Sequence, residues 1–381
     1  MAQFTYNKLI SQNVAPAAAK YIGVYNSNGE RVGEVPLGPL ANTRTTQPLY
    51  RFGVLSDVHT DSSDYQYTMS GSYDYNGDEA TGDLRRALTH FRDVEHVNLI
   101  CCCGDMSQGG TDTEFQMSSS EIANEIPNIP FYTCTGNHDV SGSSHTGAAT
   151  FMNFFNNRTI DTSSYSLQVS SAYTNSFYFT KNYTVNGNTK TDVFIFLSQY
   201  YYSNSTYGQY ETNDLTWLDG ILSQHTNDRV FLFKHLFFPD YAGNFNGIYP
   251  TNNILNAQAL TRLTTMLSTY PNVYWFNGHS HWKWHLQGSQ KTANIARYGT
   301  NGAWTIHVPS CAIPIDSDGS SRNRKPLESQ GAVVDVYADG IVFRGIDFNI
   351  DNSQNGSSTQ GYSGSTYIRY LPIAEYDLRL G

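Results

Sequence analysis

The sequence has no long apolar segment and few charged residues. No uncharged apolar run reaches the roughly 18 residues that a membrane-spanning helix needs. Residues 1–20 lack the basic start and the apolar stretch of a secretory signal. Charged residues make up 15% of the chain, while tyrosine alone contributes 28 residues and the loops are rich in Ser, Thr, Asn and Gly. We therefore expect a soluble protein without a membrane segment or signal peptide, located in the cytoplasm or in a virus particle.

Basic residues are scarce as well. The chain has 23 Lys and Arg against 33 Asp and Glu, which gives a formal net charge of -10. An acidic surface repels a phosphate backbone, so the composition disfavours nucleic acid as a partner. Bound metal ions reverse the sign of the charge locally, so a small anionic substrate is still compatible with this composition.

Cysteine is too sparse and too closely spaced for a disulfide framework. Five cysteines occur in 381 residues, and three of them are consecutive at 101–103. Side chains alternate between the two faces of a strand, so Cys101 and Cys103 point one way and Cys102 the other. The three thiols therefore cannot all bind the same metal ion. We predict that these three residues and Cys134 are reduced and lie in the core.

Three regions are expected along the chain. Residues 1–48 contain two strand-like runs around the NSNG sequence at 26–29, which predicts a β-hairpin, followed by a Gly- and Pro-bearing linker. Residues 49–348 form the predicted catalytic domain, and residues 349–381 form a C-terminal extension that we expect to pack on the core. If protomers associate, the N-terminal arm is the segment that we expect to join them.

Residues 49–348 have the pattern of an α/β layer fold. Apolar runs predict strands at RFGVLS, VNLICCC, IPFYTCT, TDVFIFLS, RVFLFK and NVYWFN, and a hairpin around residues 338–340. Apolar residues at helical spacing predict helices around residues 84–91, 215–222 and 260–267. A further helix is expected to begin at a capping box of Ser118 and Glu121 and to end before Pro127.

Metal-capable side chains follow five of these six strands. They are Asp57 and His59 after the first strand, Asp105 after the second, Asn137, His138 and Asp139 after the third, His235 after the fifth, and His279 and His281 after the sixth. Each block alone is also an ordinary turn sequence. Five such blocks at the carboxyl ends of strands, where the loops of an α/β sheet converge, predict one shared site.

The donor types indicate the kind of metal. Carboxylate, imidazole and amide donors suit Mn, Fe, Zn, Ni or Mg rather than the soft metals that thiolates prefer. Seven of these nine residues, those other than His138 and Asp139, exceed the four donors of a structural zinc site and match two ions that share one carboxylate. We therefore expect a cofactor of two divalent metal ions.

The five blocks, in this order, resemble the signature of the calcineurin-like metallophosphoesterases. They read Asp57-x-His59, Gly104-Asp105 with Gly109, Gly136-Asn137-His138-Asp139, a lone His235, and Gly278-His279-x-His281, and they cover about residues 50 to 285. The resemblance implies a four-layer α-β-β-α sandwich of two mixed sheets with helices outside. It also implies a dinuclear centre at the edge of the sheets.

The resemblance further implies a role for each residue. The metal ligands fall into three groups: Asp57, His59 and His281 on one ion, Asn137, His235 and His279 on the other, and Asp105 on both. His138 would protonate the leaving group or stabilise its charge, and Asp139 would orient the His138 imidazole through a hydrogen bond.

The activity that follows is metal-dependent hydrolysis of a phosphomonoester or phosphodiester by a hydroxide that bridges two divalent metals. Two alternatives are left. One is a nuclease of the same chemistry, which the net charge disfavours, and the other is a virion or surface structural protein that uses the fold as a scaffold. The substrate stays open, because Met106-Ser107-Gln108 stands where many members carry another polar or acidic residue, and no arginine is obviously placed to bind a phosphate.

Overall fold

A computed structural model of the chain describes residues 21–25, 31–36, 47–61, 82–140, 151, 154–155, 168–169, 176–199, 210–239, 242–243, 257–284, 295–317, 322–324, 329–348 and 372–379. The chain divides into two compact units, Met1–Pro48 and Leu49–Gly381. In the first unit, strand β1 (Tyr21–Tyr25) pairs antiparallel with strand β2 (Arg31–Pro36). The connecting NSNG sequence lies outside the described residues.

The second unit combines helices with two large sheets. Its helices with described bounds are α1 (Gly82–Asp93), α2 (Asp112–Glu125), α3 (Thr212–Gln224) and α4 (Ala257–Thr269). Its described strands are β3 (Tyr50–Leu55), β4 (Leu99–Cys102), β5 (Phe131–Thr133), β6 (Gln168–Val169), β7 (Phe177–Val185), β8 (Asn188–Leu197), β9 (Arg229–Lys234), β10 (Val273–Asn277), β11 (Ile295–Arg297), β12 (Trp304–His307), β13 (Ile315–Ser317), β14 (Arg322–Arg324), β15 (Gln330–Tyr337), β16 (Gly340–Asp347) and β17 (Pro372–Arg379).

Both large sheets are mixed. The first has the order β17-β16-β15-β3-β4-β5, in which β3, β4 and β5 run parallel and the remaining neighbours pair antiparallel. The second has the order β11-β12-β10-β9-β8-β7-β6, with β8, β9, β10 and β12 parallel. Strands β13 and β14 form a separate antiparallel pair. The six predicted strands correspond to β3, β4, β5, β8, β9 and β10, and the predicted hairpin to β15 and β16.

The sheets lie face to face with helices outside, which confirms the predicted four-layer α/β arrangement. The side chains of β8 alternate between two buried surfaces, which is why its apolar run is continuous. Phe194 and Phe196 enter the core between the sheets, while Val193 and Ile195 pack with Leu218 of α3 on the outer face. A third cluster packs helices α1 and α2 on the outer face of the other sheet.

The consecutive cysteines behave as predicted. Cys101, Cys103 and Cys134 belong to the core between the sheets, whereas Cys102 faces helices α1 and α2. All four are fully buried and free. Burial raises the pKa of each thiol well above its ordinary value, so the thiols stay protonated and are poor metal ligands.

The predicted start of helix α2 is wrong. The helix begins at Asp112, seven residues before the start that a cap at Ser118 would give. Thr111 and Glu114 form the capping box at its N-terminus. Ser118 lies inside the helix, where its hydroxyl donates to Thr60 Oγ1 at 2.7 Å. The helix does end before Pro127, as expected. None of the described helices is long and apolar enough to cross a membrane.

Candidate metal centre

The five blocks meet at one edge of the sandwich, at the carboxyl ends of strands from both sheets. Strands β3, β4 and β5 carry three blocks and strands β9 and β10 carry the other two. Backbone hydrogen bonds join neighbouring blocks, including Asp57 N to Gly104 O at 3.0 Å and Gly278 N to His235 O at 3.0 Å. A bond between the sheets runs from His279 N to Asp57 Oδ2 at 3.0 Å.

Asp57, His59 and His281 form one group of candidate ligands, with ligand atoms within 4.8 Å of one another. His281 Nε2 lies 3.0 Å from Asp57 Oδ1 and 3.1 Å from His59 Nε2. Burial raises the pKa of Asp57, but the His281 and His235 imidazoles outweigh this and hold it well below its usual range. Burial lowers the pKa of His59 to about 4, against the opposing effect of Asp57.

A second group of candidate ligands consists of Asp105, His235 and His279, whose ligand atoms also lie within 4.8 Å of one another. His235 Nε2 lies 2.9 Å from Asp105 Oδ2 and 3.3 Å from His279 Nδ1. Burial disfavours the charged form of His235, but the carboxylates of Asp105 and Asp57 raise its pKa to about 9. The two groups adjoin, since His59 Nε2 lies 3.8 Å from Asp57 Oδ1 and 3.7 Å from Asp105 Oδ2.

The outer nitrogen of three of these imidazoles is held by an oxygen acceptor. Nδ1 of His59 faces Gln108 Oε1 at 2.8 Å, Nδ1 of His235 faces Cys103 O at 2.9 Å, and Nδ1 of His281 faces Ile313 O at 3.1 Å. A carbonyl oxygen can only accept, so Nδ1 carries the proton and a neutral ring presents a lone pair at Nε2. The Nε2 atoms of these rings face one another and two carboxylates, an arrangement that cations at the centre would stabilise.

Asn137 supplies an independent indication. It is buried, and its Oδ1 has no hydrogen-bond partner among the described residues. An unpaired buried oxygen is unfavourable unless something else binds it. The adjacent amide of His138 donates to Asp105 Oδ1 at 2.8 Å, which ties the Asn137 segment to the second group. Carboxylate, imidazole and amide donors of this kind fit two divalent cations.

The backbone at the site is strained. Five candidate ligands have left-handed backbone angles: Asp57 (φ 52°), His59 (φ 49°), Asp105 (φ 53°), His279 (φ 73°) and His281 (φ 61°). The other described non-glycine residues with positive φ are His96 and Asn186. Each such residue is disfavoured by about 1–3 kcal/mol, and strain of this kind clusters at functional sites.

His138 lies beside the ligands, but Asp139 does not have its predicted partner. One ring nitrogen of His138 lies within 4.8 Å of the ligand atoms of His59 and Asp105, and its Nδ1 bonds to the carbonyl of Gln108 at 2.6 Å. The Asp139 carboxylate instead accepts from Ser107 N and Gly136 N, both at 2.9 Å. The His138 imidazole therefore donates to the carbonyl of Gln108 and not to Asp139 as expected, and Asp139 connects two of the loops that carry candidate ligands.

Sequence reasoning missed the residues that orient the ligands. Gln108 bonds to both His59 and His138, and Ser56 donates to Asp57 Oδ2 at 2.6 Å. Buried His307 lies 3.3 Å from the hydroxyl of Ser280, the residue between two candidate ligands, and burial lowers the pKa of His307 to about 3. The only sequence signal was the departure from the family pattern after Asp105.

A family model described as calcineurin-like phosphoesterase matches residues 50–283, a span that contains all nine candidate site residues. A search among curated protein sequences finds no significant match. Among solved structures, the chain is similar to a purple acid phosphatase from yellow lupin (Lupinus luteus) seeds, with 12% sequence identity and a TM-score of 0.46. The match covers 78% of this chain and 51% of that one, so the chain spans about half the length of the lupin enzyme. Because the family match extends over more than half of its residues, the chain belongs to the calcineurin-like phosphoesterase family.

Proposed function

We propose that the protein hydrolyses phosphoesters with two divalent metal ions held by Asp57, His59, Asp105, Asn137, His235, His279 and His281. The observation that carries this proposal is the convergence of imidazole nitrogens on two buried carboxylates, with His59 Nε2 and His281 Nε2 only 3.1 Å apart. The family implies a dinuclear centre of divalent ions, and the donor set leaves Mn, Fe, Zn, Ni and Mg open.

When bound, the two ions would activate a water molecule as nucleophile and stabilise the negative charge that develops on the phosphoryl oxygens. Of the seven proposed ligands only Asp57 and Asp105 are carboxylates, which balance two of the four positive charges of two divalent ions, so the site would attract an anionic substrate despite the net charge of -10. Asn137 adds a donor oxygen without adding negative charge.

Asp105 is suited to hold both ions. Its Oδ2 lies 2.9 Å from His235 Nε2 in the second group and 3.7 Å from His59 Nε2 in the first. Its Oδ1 accepts the amide of His138, which fixes the orientation of the carboxylate. Burial opposes ionisation of Asp105, but the His235 and His138 imidazoles hold its pKa below the usual range, so it is an anion at neutral pH.

His138 is suited to act on the leaving group. The carbonyl of Gln108 accepts from Nδ1, so proton transfer to a substrate would use Nε2. When Nε2 carries a proton, it can donate that proton to the leaving oxygen or stabilise the charge that forms there. The ring packs edge-on against His59, with centroids 4.6 Å apart, which limits its rotation.

The test uses the purified protein loaded with manganese and an aryl phosphomonoester, a bis-aryl phosphodiester and single- and double-stranded DNA as substrates. We expect cleavage of at least one aryl ester. Asp105→Asn should lose bound metal and most turnover, and His138→Ala should keep metal and lose about 10²–10⁴-fold in rate. His225→Ala, which alters a half-buried histidine bonded to Asp228 away from the site, should match the wild type.

Unchanged rates in both Asp105→Asn and His138→Ala would overturn the proposal. Cleavage of DNA in preference to the aryl esters, with strong salt dependence of binding, would favour the nuclease alternative instead.

A further inference from the structure

We propose that Gln108 is a positioning residue that holds a candidate metal ligand and the candidate proton donor together, an inference that rests on the proposed function. Its side-chain Oε1 lies 2.8 Å from Nδ1 of His59, and its main-chain oxygen lies 2.6 Å from Nδ1 of His138. The two contacts use different parts of one residue. Gln108 thus connects a ligand of the first ion with the group that faces the leaving oxygen.

The backbone of Gln108 is anchored on both sides. Its amide donates to Thr60 O at 2.8 Å, next to the ligand His59. The preceding residue, Ser107, donates through both its amide and its hydroxyl to Asp139 Oδ1, at 2.9 and 3.0 Å. The following residue, Gly109, donates to Glu114 at 3.0 Å. These bonds fix the direction of the Gln108 carbonyl independently of its side chain.

The side chain of Gln108 determines which nitrogen of His59 is available. An amide oxygen accepts from Nδ1–H, so the Nε2 lone pair is directed at Asp57 and Asp105. An acceptor on the outer nitrogen of a ligating histidine fixes the tautomer and the ring orientation, and its loss typically weakens metal binding 10–100-fold. Because the amide is neutral, this orientation is achieved without a further carboxylate beside the two that the centre already contains.

The test distinguishes the effect of the acceptor oxygen of Gln108 from the effect of its side-chain packing. Gln108→Met has a similar size and no acceptor, whereas Gln108→Glu keeps an acceptor oxygen. Manganese binding is measured by calorimetry. We expect Gln108→Met to bind one of the two ions about 10–100-fold more weakly and Gln108→Glu to bind both at least as tightly as the wild type. Gln116→Met, which alters an exposed glutamine on α2 bonded to Ser120, should not differ from the wild type.

A second measurement uses metal-free protein with labelled histidine. The His59 Nδ1–H proton should give a slowly exchanging NMR signal in the wild type and in Gln108→Glu, and this signal should be absent in Gln108→Met. If the methionine variant does not fold, Gln108→Asn, which withdraws the acceptor by one methylene, is expected to show the same losses.

Wild-type affinity and an unchanged His59 signal in Gln108→Met would overturn the role of Gln108 and leave the proposed function intact. A wild type that binds no manganese would overturn the proposed function, while the NMR signal would still decide whether Gln108 holds His59.

Discussion

The Asp105 carboxylate lies directly against the backbone of Gly136, and this close approach requires a residue without a side chain. A Cβ at position 136 would overlap Asp105 Oδ1 and lie 2.6 Å from the Asp105 amide nitrogen. Gly278 has the same relation to Ser56 and to the carboxylate of Asp57. At the scale of single residues, these glycines therefore permit the two carboxylates to sit where both groups of imidazoles reach them.

Gly136→Ala should accordingly displace Asp105 and weaken metal binding. We expect a loss of at least one bound ion by elemental analysis and a matching fall in phosphoesterase rate. Gly220→Ala is the control, because a Cβ at that position in α3 meets open space. It should stabilise the protein by about 0.5–1 kcal/mol in urea denaturation. Full retention of both ions by Gly136→Ala would contradict this account of the glycine.

At this scale the sequence predicted which side chains meet, but not how they are oriented. Asp57, His59 and His281 could be grouped from their positions after strands and their resemblance to a family. The acceptors Cys103 O and Ile313 O could not be predicted, because main-chain oxygens carry no residue-type signal.

At the scale of elements, helix α2 supports the loop that carries Asp105. Glu114 Oε2 accepts from Thr111 N and from Gly109 N, both at 3.0 Å. The capping box therefore also binds the end of the loop that carries Asp105. The sequence contains two candidate boxes, Thr111 with Glu114 and Ser118 with Glu121. The polar residues between them obscure the helical pattern, which is why the start of α2 was placed too late.

Thr111→Ala should destabilise the protein by about 1 kcal/mol, because it leaves the Glu114 amide at the helix N-terminus without its acceptor. The change is measured as the free energy of unfolding in urea. Thr261→Ala, at an exposed position inside α4, should change stability by less than about 0.5 kcal/mol. Equal effects of the two substitutions would show that the cap contributes nothing particular.

At the scale of the whole second unit, the candidate metal centre and a buried ion pair lie at opposite ends of the same strands. Arg229 begins β9 and donates to Asp192 of β8 at 2.9 and 2.7 Å. It also donates to Gly340 O of β16 at 3.1 Å, and Tyr50 of β3 donates to Asp192. These bonds join the two sheets at the amino ends of β3 and β9, whose carboxyl ends carry candidate ligands.

Arg229→Met should therefore destabilise the fold by about 3–5 kcal/mol, because it leaves the Asp192 carboxylate buried and unpaired. Thermal and urea unfolding would measure the loss. Arg92→Met removes a surface arginine that is 37% exposed and paired with Asp93, and it should change stability by no more than about 1 kcal/mol. A loss of similar size in both variants would refute the importance of the buried pair.

The layer arrangement could be predicted from the sequence, whereas the order of strands within each sheet could not. Continuous apolar runs indicate strands covered on both faces, as in β8 and β9. Pairing between distant segments, such as β3 with β15, depends on contacts that no local pattern records. The contribution of the N-terminal arm to association and the packing of the C-terminal extension stay predictions.

The most direct test of the central claim is anomalous X-ray diffraction from crystals of the protein grown with Mn²⁺. The account predicts two anomalous peaks about 3.5–4 Å apart, one beside Asp57, His59 and His281 and the other beside Asn137, His235 and His279, with Asp105 between them. No peak at these residues, or peaks only elsewhere on the chain, would contradict it.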